Sequence, residues 1–240
     1  MSAARPLSAA YWEALRRLAE PLELMKFTLI YDNDLPAGDS SRCVYASKIR
    51  NTFHDQLVDL WDSHVIFRTL RHTARTPICS EAIETDILIP FSGWPEFRGD
   101  PPPLQPGQTD LCAPIAVSGL GEFVPLIRNS LCLGCSVDIL FLRHEEPLKL
   151  LKAGGDLDNR IKTLFDGLRM PNKGEGHGET PTADPLYVVM EDDALITDIS
   201  VRSGRLLGNR TKKPHAVRLT IDITVKVLRV FSQNQSLIGG

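Results

Sequence analysis

A chain of 240 residues, 42% hydrophobic and 24% charged, is close to ordinary globular usage and long enough for one large domain or two small ones. It has no run of about 18 uninterrupted apolar residues that would span a bilayer, and its start, MSAARPLSAAYWEALRRL, carries charges where a secretory leader needs an apolar core. A net charge of −3 gives no global attraction for nucleic acid, so such a partner must be held by local charge or by metal.

The five cysteines are an odd number and mostly scattered, which suits reduced thiols in a cytoplasmic setting rather than a disulfide framework. Cys132 and Cys135 have the spacing of half a zinc site. No second close pair exists, so ordinary buried thiols are expected there.

In chain order, Ser8 is placed to cap a helix running to about Leu18, with Trp12, Leu15 and Leu18 at helical spacing and Pro21 to end it. Residues 1–24 are therefore predicted to be an N-terminal helical extension. LMKFTLIYDNDLPAG reads as a strand leading into a turn, and Ser47 is expected to cap a second helix with the apolar stripe Ile49, Phe53, Leu57, Leu60 and Trp61. From about 65 to 130 the pattern weakens, and the prolines of FRGDPPPLQPGQTD exclude helix or inner strand. This region is expected to be an insertion or elaborated loop, and a possible surface for a protein partner.

SVDILFLRHE alternates as a strand. The next helix is predicted to begin at Asp158, with Ile161, Leu164, Phe165 and Leu168 facing the core. A polar loop, NKGEGHGETPTADP, contains His177 and separates that helix from LYVVMEDDALITDISVRSGRL. Last comes VRLTIDITVKV, whose strict alternation from Val217 to Val227 gives one dry and one wet face. Without a regular βαβ rhythm, the expectation is one α+β domain over 1–240. It should have a mixed, mainly antiparallel sheet with helices packed on one face, and its core at 136–230.

The stretch GGDLDNRIK, residues 154–162, sets Asp156 beside Asp158. Asp158 alone is explained as a helix N-cap favoured by the helix dipole. Asp156 is not. If residues 155–158 are extended, both carboxylates point to one side, and Lys162 lies one helical turn beyond Asp158. A second acidic group, Glu191, Asp192 and Asp193, follows the polar loop; taken alone it reads as a solvated turn. Together the two groups repel themselves unless a cation neutralises them, and oxygen-only ligands suit Mg²⁺ or Mn²⁺. Carboxylate-held metal with a nearby lysine is equipment for phosphodiester hydrolysis.

DLDNRIKTLFDGL followed by EDDALITDISV resembles the RusA family of Holliday-junction resolvases, and FTLIYDNDLPAG and SVDILFL extend the likeness, in order, to about half the chain. The resemblance implies Asp156, Asp158 and Asp193 as metal-binding catalytic carboxylates, Lys162 as the catalytic lysine, and Asp192 as a neighbouring metal ligand. It also implies a homodimeric endonuclease that acts on branched DNA and uses Mg²⁺, for which Mn²⁺ can substitute. The chain departs from the family in being about twice the usual length and mildly acidic. Arg160 beside the aspartates, and Arg202, Arg205, Arg210, Lys212 and Lys213 in the turn-rich RSGRLLGNRTKK, are candidate phosphate contacts, with a solvated basic loop as the alternative. Two other readings stand: a metal-dependent nuclease for flaps, single strands or invading DNA, and a catalytically silent nucleic-acid-binding or assembly subunit.

Overall fold

The computed structural model describes residues 22–37, 42–64, 67, 111–144, 156–175, 181–208 and 215–228. The expected helix at 8–18, most of 65–110, His177, Arg210, Lys212 and Lys213 lie outside the described residues. Strand β1 is Leu22–Asp34 and helix α1 is Arg42–Ser63. Strands β2 (Ile115–Val117) and β3 (Gly121–Ile127) come next, then β4 (Leu133–Arg143). Helix α2 (Asp156–Leu168) precedes β5 (Leu186–Met190), β6 (Ile196–Arg205) and β7 (Ala216–Val227).

The alternating strand read near the C-terminus becomes the inner strand β7, which pairs antiparallel with both β1 and β4. Its odd-numbered side chains from Val217 to Val227 are buried, whereas Arg218 and Asp222 stay exposed. Fully burying a Val, Leu or Ile is worth about 1.5–3 kcal/mol, so the period of two fixes which face turns inward. Strand β6 adds to β4 in parallel, giving the order β1-β7-β4-β6. A second sheet, β2-β3-β5, joins an antiparallel pair to a parallel one. The protein is thus mixed α+β, with two mixed sheets and two helices among the described residues.

Both helices share one apolar core with the inward face of the larger sheet. On α1, Ile49, Phe53, Leu57 and Trp61 are buried at four-residue spacing, and on α2 so are Leu164 and Leu168. The helices meet closely at Gly167, where a Cβ would stand 2.5 Å from Ile49 Cβ. The α1 side chain Gln56 also closes the outer edge of β1. Its Oε1 accepts from the Ile30 amide and its Nε2 donates to the Ile30 carbonyl, each at 2.9 Å. No helix among the described residues is long and apolar enough to cross a membrane.

Two expectations are corrected. Ser47 lies inside α1, which already runs from Arg42, so it caps nothing. Residues 115–127, expected within an insertion, form β2 and β3, and Phe123 through Ile127 are all buried. Five successive buried residues carry no alternation, because β3 pairs in parallel with β5 and is covered on both faces. The thiols behave as expected: Cys132 and Cys135 are buried, and burial pushes the Cys135 thiol up to about 12.

Candidate functional site

Helix α2 is the spine of the site. Asp156 is its first residue and Asp158 its third, so the extended entry that would turn both carboxylates to one side is absent; residues two apart in a helix do not share a face. The side chain of Asp156 lies outside the described residues. Asp158 and Lys162 form an i, i+4 ion pair, Nζ to Oδ2 at 2.6 Å, with the side chains 64% and 51% exposed. Both sit on the open surface near the positive end of the helix dipole.

The second acidic group is divided among different duties. Glu191 ties strand to turn: its amide donates to the Ile127 carbonyl at 2.9 Å, and its Oε2 accepts from the Asn129 amide at 3.0 Å. Asp192 precedes the short 3₁₀ turn Asp193–Leu195 and caps it, its Oδ1 accepting from the Ala194 amide at 2.8 Å. Asp193 is exposed as a residue, yet its carboxyl is raised above the usual carboxylate range. Partial withdrawal from water is the main cause; Asp192 and Asp166 push the same way, and Arg169 opposes them.

That charge environment locates Asp193 by its neighbours. Besides the adjacent Asp192 they are Asp166 in the last turn of α2 and Arg169 just beyond it, whereas Asp158 lies eight residues from Asp166, about 12 Å along the helix axis. Among the described residues no three His, Cys, Asp or Glu side chains are grouped to hold one metal ion.

The C-terminal end of α2 holds a buried charge network that the sequence reading passed over. Arg169 Nη2 bridges Asp166 Oδ1 at 2.6 Å and Glu175 Oε1 at 2.5 Å, while Arg42 donates to the other Asp166 oxygen. Arg50, 5% exposed, donates to the backbone carbonyls of Asp166 at 2.6 Å and Arg169 at 2.9 Å, capping carbonyls that the helix end leaves unpaired. Burial is the chief reason that the Arg50 guanidinium falls to about 10; Arg169 lowers it too, while Glu175 and Asp166 pull it back up. Arg169 ends up raised: burial works against its charge, but the hydrogen bonds and charges of Glu175 and Asp166 outweigh that. The only local signal was the i, i+3 spacing of Asp166 and Arg169; Arg42, Arg50 and Glu175 arrive through tertiary packing.

Beside this network a cleft of about 840 Å³ opens between the acidic turn and the 170–173 segment, lined by Asn129, Lys173, Glu191 and Asp192 among others. Its size is ordinary for a small-ligand site. The candidate phosphate contacts are dispersed. Arg160 is 5% exposed and its Nη1 donates to the Leu35 carbonyl at 2.6 Å, so this guanidinium is built into the fold rather than offered to phosphate. Arg202 and Arg205 lie on strand β6, not in a turn-rich loop, and three residues apart on a strand they face opposite sides.

Compared with protein-family models, curated proteins and solved structures, the chain finds no match in any of the three.

Proposed function

We propose that this chain is a RusA-like, metal-dependent endonuclease that hydrolyses phosphodiester bonds in branched DNA, with four-way junctions the leading substrate. One observation carries the reading. Asp158, the third residue of α2, is exposed with the Lys162 ammonium 2.6 Å from its carboxylate. An exposed i, i+4 pair contributes only about 0.3–0.5 kcal/mol to stability, so the fold has little need of it. A phosphate does: Lys162 can donate to a phosphate oxygen, and Asp158 aims the ammonium across the helix start.

The oxygen-only donors fit a hard divalent cation in kind. Asp158, with Asp156 two residues before it, would hold Mg²⁺, or Mn²⁺ in its place, and the ion would supply an activated water and neutralise charge on the phosphate; Asp192 and Asp193 stand with the other end of α2 and do not complete that ligand set.

A second reading, a catalytically silent nucleic-acid-binding subunit, is favoured by the structural duties of two of these carboxylates: Asp192 caps a turn and Asp158 is already paired. Labelled junction, flap, duplex and single-stranded DNA, incubated with Mg²⁺ or with EDTA, separates the two. Mg²⁺-dependent cutting that prefers the junction supports the resolvase reading, and preference for another DNA keeps the nuclease but changes its substrate. Binding without cutting supports the silent subunit.

A further inference from the structure

Helix α1 lies against an edge of each sheet. β1 is an edge of the four-stranded sheet and β5 an edge of the three-stranded one, so each presents backbone groups that no neighbouring strand takes. Side chains of α1 take them instead. Gln56 holds β1, accepting from the Ile30 amide and donating to the Ile30 carbonyl. His54, two residues earlier and so on a different side of the helix, holds β5: the Tyr187 amide donates to its Nδ1 at 3.0 Å, and the two rings pack with centroids 5.7 Å apart. Three residues before His54, Asn51 Oδ1 accepts from the Thr182 amide at 3.2 Å and ties down the approach to the same strand.

The two holds differ in chemistry. We infer that α1 is an acid-sensitive clamp between the sheets, in which His54 grips β5 only as the neutral imidazole while Gln56 grips β1 in acid as well. The Tyr187 amide gives its hydrogen to Nδ1, so Nδ1 is bare and the proton of the neutral ring sits on Nε2. Protonation puts a hydrogen on Nδ1 as well, and two donors then face each other across 3.0 Å. The Gln56 amide has no charged form of this kind. Burial lowers the His54 imidazole below its ordinary value; Asp55 on the same helix, the one charge that weighs on it among the described residues, pulls the other way and is outweighed. From β5 the titratable group packed against it is Tyr187, and a phenol carries no charge in acid. The opened state therefore takes up the proton first, so the grip is complete at neutral pH and is lost as the pH falls below about 6.5. Because β5 ends at Met190 and runs straight into Glu191 and the acidic turn, acid releases the strand that carries that turn. The clamp depends on α1 and β5 alone and stands whether or not the chain cuts DNA.

Amide hydrogen exchange of the full-length chain, read residue by residue by NMR from about pH 7.5 down to about pH 5 and divided by the intrinsic rate at each pH, tests this. Opening that is coupled to one proton changes by about tenfold per pH unit, so protection of the Tyr187 amide should fall by up to about tenfold for each unit below about pH 6.5. Protection of the Ile30 amide should hold within about twofold over the same range, because its acceptor does not titrate. His54→Asn sets an amide oxygen where Nδ1 stands and should keep the Tyr187 amide protected with no dependence on pH. His54→Ala removes the acceptor and should lower that protection at every pH. Tyr187 protection that stays flat down to about pH 5 overturns the clamp. So does a fall that Ile30 shares equally, which reports general acid unfolding, and so does a pH dependence that survives His54→Asn. Where a variant does not fold, the two wild-type amides compared with each other still decide the outcome.

Discussion

At the start of α2 an aspartate and a lysine stand 2.6 Å apart with their side chains 64% and 51% exposed; at its end an aspartate and an arginine stand the same 2.6 Å apart with theirs 12% and 8% exposed. The distance is equal and the physics is not. Water screens the first pair, so its stabilisation is small and its charges remain available to a partner. The second pair has lost its water, so each member is costly without the other, and three arginines converge on two carboxylates there, Arg42 and Arg169 on Asp166, and Arg169 with Arg50 (3.4 Å) on Glu175. One helix thus presents an exposed end and an anchored end. What separates them is burial rather than residue type.

The comparison is broken most severely at the anchored end. Arg169→Ala leaves Asp166 and Glu175 without their shared guanidinium, and removing one partner of a buried pair costs about 3–5 kcal/mol. Urea unfolding should show a drop of that order; a loss below about 1 kcal/mol would mean that the network is solvated. Packing at the same end gives the next effect. Gly167→Ala drives a methyl group into Ile49 and should destabilise by about 1–3 kcal/mol in the same measurement.

At the exposed end the large effect belongs to activity. On the proposed function, Asp158→Asn and Lys162→Ala should each lower single-turnover cleavage of a junction by about 10²–10³-fold while leaving junction affinity nearly unchanged. Asp158 lies inside the first turn and is exposed, so Asp158→Asn loses only a helix-start charge and a screened ion pair, and its unfolding free energy should fall by no more than about 1 kcal/mol. Wild-type cutting by both variants would reduce the pair to helix-end chemistry.

The acidic turn gives a smaller, pH-dependent difference. Because Asp193 has a raised folded-state value, the folded chain binds more protons than the unfolded one in that window, and stability falls as pH rises through it. Asp193→Asn removes this penalty. It should exceed wild type by at most about 0.5 kcal/mol at pH 7, a figure reduced for partial exposure, with the gap closing as pH drops below the ordinary carboxylate range. Smallest of all, Lys162→Ala should change unfolding free energy by no more than about 0.5 kcal/mol.

Where a residue's duty is set within a turn or two of chain, the sequence was legible. The alternation of β7, the stripe Ile49, Phe53, Leu57 and Trp61, and the stripe Ile161 to Leu168 each report one buried face through a fixed period. The nearness of Asp158 to Lys162 followed from helix spacing in the same way. Three features lacked such a local signature. Strand β3 is buried on both faces, so no period marks it. Ile199 and Val201 carry the alternation of a core strand and yet are exposed, because β6 stands at the edge. Arg160 reads as surface charge but is buried against Leu35, 125 residues away in sequence.

The sequence by itself determined the two helices and the alternating strands β4 and β7, and which of their faces would be apolar, because backbone periodicity and side-chain type act over a few residues. Only the tertiary structure decided that the Asp192–Asp193 turn meets the C-terminal end of α2, and that Arg42, Arg50 and Glu175 gather around Asp166 and Arg169. Electrostatic strength depends on how much water remains around a charge. That is a property of the whole packed chain, which no local pattern encodes.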